Sequence, residues 1–207
     1  MKIDWADGSV TAAWDGSPSD ADRIIVLAHG AGGDMTDAIL VGVAKQLAVS
    51  GSAVLRFNFP YREAGRRTPG AQAQSESCYR SVADFARRDG AKLYLGGKSY
   101  GGRMASHIVA DGYPADGLVF LSYPLHAPGR FDKLRDDHLR QIDVPMLFVQ
   151  GTRDTFARPD LLDATLATLP NARRVPIENG DHGLKAPGRK RDDVITQIAT
   201  AIRTFTS

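Results

Sequence analysis

Short apolar runs alternate along this chain with stretches whose apolar residues recur every three or four positions. Arg23–Ala28 (Arg-Ile-Ile-Val-Leu-Ala), Ala53–Phe57, Leu93–Leu95, Gly117–Leu121 and Pro145–Val149 are rich in aliphatic residues and bounded by Gly, Pro or polar residues. That is the pattern of buried strands. Ala172–Ile177 is a weaker strand, and Ser9–Trp14 reads as an edge strand ahead of the main sheet. Between the strands, Ile39, Leu40, Val43, Ala44 and Leu47 fall on one helical face, with a cap expected at Thr36. Cys78, Val82, Phe85 and Ala86 form a second stripe. Leu161, Leu162 and Leu166 form a third, and Val194, Ile195, Ile198, Ala199 and Ile202 the last. Strand and helix in alternation imply right-handed crossovers. The fold class is therefore α/β: a mostly parallel sheet of about six or seven strands with helices on both faces. In such sheets ligand sites lie beyond the carboxyl ends of the strands, so the residues that follow each run deserve the closest reading.

Composition narrows the picture. A chain of 207 residues, 43% of them hydrophobic, suits a single domain over residues 1–207 with a sizeable core. There is no internal repeat, linker or low-complexity stretch. The net charge of +2 comes from interspersed acids and bases, so no nucleic-acid partner is expected. The basic groups Arg62, Arg66, Arg67 and Arg189-Lys190-Arg191 read as solvated surface. The one cysteine, Cys78, excludes an intramolecular disulfide and sits on a core stripe. The segment Met1-Lys2-Ile3-Asp4-Trp5 lacks the apolar run of a signal peptide, and no run is long enough to cross a membrane. A cytoplasmic protein without a membrane partner is expected. The oligomeric state is not legible.

Chemistry enters at the strand ends. Leu93–Leu95 is followed by Gly96-Gly97-Lys98-Ser99-Tyr100-Gly101-Gly102, which holds Gly-x-Ser-x-Gly, and a helix is expected to begin near Met104. On a sharp strand-to-helix turn the middle serine is held in a strained conformation with positive φ and its hydroxyl stands above the sheet. The flanking glycines let two backbones pass closely. The pattern also arises by chance, or as a plain turn, so its context carries the weight. Arg23–Ala28 leads into His29-Gly30-Ala31-Gly32-Gly33. Such a loop can aim backbone N–H groups at the serine, and Ala31 and Tyr100 are the expected oxyanion donors. A phosphate-cradling loop is the competing reading, but neither nucleotide fingerprint fits. Gly97-Lys98-Ser99 looks like the end of a P-loop, yet Lys92 stands where that motif needs glycine. Pro145–Val149 leads to Asp154, and the Gly-rich segment after the last strand holds Asp181-His182-Gly183. Neutral imidazole can take the Ser99 proton, and Asp154 can orient the ring and stabilise the imidazolium. Asp181, adjacent in sequence, is poorly placed to do so. His29, Tyr61, Arg62 and His126 also follow strand ends and are candidate pocket-lining residues, with His29 shaping the oxyanion loop. One of Arg62, Arg66 and Arg67 facing the cleft would suit an anionic group. His107 and His138 read as ordinary surface or helix residues. No His/Asp/Glu spacing suggests a metal, and no cofactor is implied.

The chain order Ser99, Asp154, His182 and the segments His29–Gly33, Asn58-Phe59-Pro60-Tyr61-Arg62, Gly97–Arg103, Gly151–Asp154 and Gly180–His182 resemble the α/β-hydrolase superfamily over nearly the full length. The resemblance is greatest to a branch of small predicted hydrolases related to dienelactone hydrolases. That branch includes a testis-expressed animal protein and, more distantly, a subunit of an animal histone-acetyltransferase complex. It implies an α/β-hydrolase fold and a serine nucleophile at Ser99. Dienelactone hydrolases proper carry cysteine there, so a dienelactone substrate is not implied. Only Ser122–Val144 stands where lids commonly enter the superfamily, which leaves room for one short helix and no lid domain. The expected activity is hydrolysis of a small carboxylic ester or thioester. The alternative is a non-catalytic binding or scaffold protein on the same fold.

Overall fold

The computed structural model describes residues 1–207. Its strands are β1 (Lys2–Trp5), β2 (Gly8–Asp15), β3 (Arg23–Ala28), β4 (Ala53–Phe57), β5 (Lys92–Lys98), β6 (Gly117–Leu121), β7 (Met146–Gly151) and β8 (Ala172–Ile177). Its α-helices are α1 (Ala38–Val49), α2 (Pro60–Glu63), α3 (Gln72–Ala86), α4 (Tyr100–Ala110), α5 (Pro159–Leu166) and α6 (Arg191–Phe205). All strands join one sheet in the order β1-β2-β4-β3-β5-β6-β7-β8. β1 and β2 pair antiparallel, as do β2 and β4, and every pairing from β4 to β8 is parallel.

The sheet has eight strands rather than six or seven, and Ser9–Trp14 is not at its edge. The edge is β1, whose Lys-Ile-Asp-Trp buries Ile3 alone and is too short and polar to register as a run. β2 buries Val10 and Ala12 on one face only, and that one-sidedness gives it the look of an edge strand although β1 and β4 flank it. β3, β4, β6 and β7 are buried on both faces, which is why they appear as largely aliphatic runs, interrupted in β4 by Arg56, which is paired with Asp15.

Two apolar layers clamp the sheet. α3, α4 and α5 cover one face through residues such as Tyr79, Met104 and Leu162. α1 and α6 cover the other through Leu40, Val43, Ile198 and Ile202. The cap of α1 is Asp37, not Thr36: its Oδ1 accepts from Ile39 N at 3.0 Å and Leu40 N at 3.2 Å. Thr36 instead turns back onto Asp34. In α3, Cys78 and Val82 are buried as the stripe requires, but Phe85 is 37% exposed and leaves it. Burial pushes the Cys78 thiol up to about 12, so it stays protonated.

The chain passes from β3 to β4 on one side, then crosses to β5 on the other. That reversal opens a crevice at the carboxyl ends of β3 and β5. Nothing large covers it. The only regular element between Ser122 and Val144 is a single 3₁₀ turn, Asp137–Gln141.

Candidate active site

Ser99 is the one residue between β5 and α4. Its φ of 50° and ψ of −112° are strained for a residue with a side chain. The cause is crowding: a Cβ at Gly97 would lie 2.2 Å from Ala28 O, and one at Gly101 2.4 Å from it. Only glycine lets the elbow press this closely on the end of β3. α4 begins at Tyr100 rather than near Met104. Gly101 and Gly102 weaken helix propensity there, and packing against β3 and β5 overrides it.

The elbow aims Ser99 at the loop after β8. Ser99 Oγ lies 2.8 Å from His182 Nε2. His182 Nδ1 lies 2.9 and 2.8 Å from Asp154 Oδ1 and Oδ2. An ionised carboxylate only accepts, so Nδ1 carries the proton and Nε2 is free to accept from the serine hydroxyl. Asp154 is 3% exposed. Gln150 Nε2 donates to its Oδ2 at 2.6 Å and Phe156 N to its Oδ1 at 2.7 Å. The Phe156 ring stacks on His182 with centroids 4.2 Å apart. Gln150 and Phe156 were not among the candidate residues. A buried glutamine near the end of an interior strand is a signal that was there to be found. Asp181 is occupied with Gly183 N and Lys185 N.

The backbone N–H groups of Ala31 and Tyr100 have no hydrogen-bond acceptor within the protein. The cleft over Ser99 has a volume of about 240 Å³ and is lined by Gly30, Ala31, Gly33, Asp37, Lys98, Ser99, His182 and Gly183. Lys98 pairs with Asp37 at 2.7 Å along this wall.

His29, Tyr61, Arg62 and His126 do not line this cleft. His29 is fully buried. Its Nε2 accepts from Phe59 N at 3.1 Å, so Nδ1 carries the hydrogen and donates to Gly30 O at 2.8 Å. Burial lowers its pKa, and the ring is a neutral staple between the loop after β3 and the segment after β4. His126 repeats the device: Nδ1 donates to Ala127 O and Nε2 accepts from Arg158 N, which ties the loop after β6 to the Asp154 loop. It borders a separate cleft of about 310 Å³ on the far side of Asp154. Tyr61 is buried with an unpartnered hydroxyl. Arg62 is held by Asp34 at 3.3 Å, while Arg66 and Arg67 are exposed. His107 and His138 lie on helical segments, as expected, half-buried, in α4 and in the 3₁₀ turn, but they are not independent. They stack with centroids 3.9 Å apart, and His138 Nε2 is 2.8 Å from Ser106 Oγ.

Solved structures share this architecture. A serine hydrolase without a lid from Xanthomonas campestris superposes with a TM-score of 0.75 at 22% identity, covering 100% of this chain and 94% of that one. Est1E from Butyrivibrio proteoclasticus, with ferulic acid bound, gives 0.79 at 17%, covering 100% and 98%. A dienelactone hydrolase from Anabaena variabilis gives 0.76 at 18%, covering 99% and 94%. Residues 21–207 match the family described as an alpha/beta hydrolase domain, so this chain belongs to the α/β-hydrolase family, in its lidless form.

Proposed function

We propose that the chain is a serine hydrolase of small carboxylic esters or thioesters, acting through a Ser99 acyl-enzyme. The observation that carries this reading is the unbroken chain from Ser99 Oγ through His182 to the buried Asp154 carboxylate. Ser99 Oγ attacks the substrate carbonyl carbon as His182 Nε2 takes its proton. Asp154 holds the ring by Nδ1 and stabilises the imidazolium. Gln150 and the Phe156 N–H hold Asp154 in turn. The carbonyl oxygen becomes an oxyanion and accepts from the N–H groups of Ala31 and Tyr100. Collapse breaks the bond to the alcohol or thiol, which leaves with the His182 proton. Water then attacks the acyl-enzyme with His182 again as base, which frees the acid and restores Ser99.

Hydrolysis on this fold by the Xanthomonas serine hydrolase and the Anabaena dienelactone hydrolase supports the reaction class. Residues 1–207 act as one domain in this reading: β1 and β2 lie before the family match but are hydrogen-bonded into the same sheet. A fluorophosphonate probe separates the hydrolase from a non-catalytic binding protein. The expected result is covalent labelling at Ser99, lost in Ser99→Ala and His182→Ala. A folded wild-type protein that stays unlabelled overturns the proposal.

A further inference from the structure

The cleft over Ser99 does not end at the nucleophile. It shares Asp37, Lys98 and Gly183 with a larger cleft of about 530 Å³ that runs between the N-terminal ends of α1 and α6. The wall of the larger cleft is of two kinds. Ile39, Leu184 and Val194, nearly buried, form an apolar floor, while the exposed Lys185, Arg189 and Arg191 supply positive charge. The one carboxylate in the wall, Asp37, is already paired with Lys98. Asp192 and Asp193 follow on α6 but do not line the cleft, and the Asp181 carboxylate is taken by backbone N–H groups. None of Lys185, Arg189 and Arg191 is in an ion pair, and Arg189 is held in place by Gln197 Oε1 at 2.8 Å. Three cations without counter-charge around an apolar floor favour an anion on a short hydrocarbon spacer.

We infer that the substrate of Ser99 carries a carboxylate or similar anion on a short aliphatic arm, which lies in the cleft between α1 and α6 with its charge against Lys185, Arg189 and Arg191. The inference rests on the serine-hydrolase reading and adds the class of ester to it. The groove borders both the Ser99 and the His182 side, so the arm belongs to either the acyl or the leaving half, and two substrate pairs separate these.

The acyl pair is mono-p-nitrophenyl adipate against p-nitrophenyl hexanoate, which have equal acyl lengths. The leaving-group pair is S-butanoyl-3-mercaptopropanoate against S-butanoyl propanethiol, read by the released thiol. The anionic member of at least one pair is expected to show a kcat/KM about tenfold or more above its neutral partner. That ratio should fall as salt is raised to ~0.5 M and collapse in Arg189→Glu and Arg191→Glu. Neutral substrates equal or better in both pairs, or a preference that survives both charge reversals, overturns the inference. If no ester is turned over in a Ser99-dependent way, the hydrolase reading has failed by itself. The groove is then judged by titrating adipate into the wild-type protein and following the amide NMR shifts of Gly183 and Leu184. Saturating shifts abolished by Arg189→Glu uphold the anion site, and shifts that do not saturate overturn it.

Discussion

Asp154 illustrates how the work of one side chain depends on its neighbours. A buried carboxylate without donors would be costly, and both oxygens of Asp154 are supplied with them. The donors are His182, Gln150 Nε2 and the Phe156 N–H. Ser99→Ala and His182→Ala are expected to cost about a thousandfold or more in kcat with an unchanged fold, measured on p-nitrophenyl acetate. Gln150→Ala should cost less, roughly ten- to a hundredfold, because it frees the carboxylate without removing it. His29 makes a contrast of position. It is bonded to Phe59 N and Gly30 O and lies outside the cleft, so His29→Ala should lower stability by about 1–3 kcal/mol and turnover only through the loop it holds. Should His29→Ala abolish turnover while His182→Ala keeps it, the base has been assigned to the wrong ring.

At the scale of elements, the join between α3 and the sheet lies next to the strand that carries Ser99. Tyr79 is fully buried, its hydroxyl 2.6 Å from Gly96 O and 2.9 Å from Gly96 N, on β5 just before Ser99. Tyr79→Phe leaves the Gly96 N–H without its acceptor and should destabilise the protein by about 1–3 kcal/mol, visible as a lower urea midpoint. Glu63, on α2, ties that helix to β1 and β2: it accepts from Lys2 Nζ, Thr11 N, Thr11 Oγ1 and Asn58 Nδ2. Burial pushes its carboxyl up, but these donors outweigh burial and hold it at about 2. A depressed carboxylate contributes stability above its unfolded pKa of about 4.3, and that contribution is lost as pH falls from there toward 2. The amount is on the order of 1 kcal/mol, since solvent reaches part of the group. Glu63→Gln should therefore flatten the loss of Tm between pH 5 and pH 3. Elements with one strong period were legible in the sequence: β3, β4 and β6 fall where their apolar runs stand. That Ser99, Asp154 and His182 come together was legible in position, because each follows a strand end; the roles given to them are proposed. β1 was not, because Lys-Ile-Asp-Trp carries no period. The staples His29 and His126, the His107–His138 stack and the Gln150 support depend on loops meeting across the sheet, and no spacing along the chain encodes that meeting.

For the whole molecule the question is what covers the substrate. A lid would bury a long acyl chain, at about 0.8 kcal/mol for each methylene removed from water. Here only a 3₁₀ turn stands between β6 and β7, and the His182 side chain remains 24% exposed. The cleft over Ser99 is about 240 Å³, and the groove that continues it is lined by Lys185, Arg189 and Arg191. A short neutral acyl group fills the first and stops. A long neutral chain either lies in water, gaining nothing, or runs past cations that it cannot pair. Along a series of p-nitrophenyl esters from acetate to palmitate, kcat/KM should peak at a short chain and decline beyond it. With no lid to open, rate should also follow substrate concentration smoothly through the point where micelles form. A kcat/KM that climbs steadily to palmitate, or a jump in rate at micelle formation, would mean that some part of this chain closes over long acyl groups, and the open cleft would have to be abandoned.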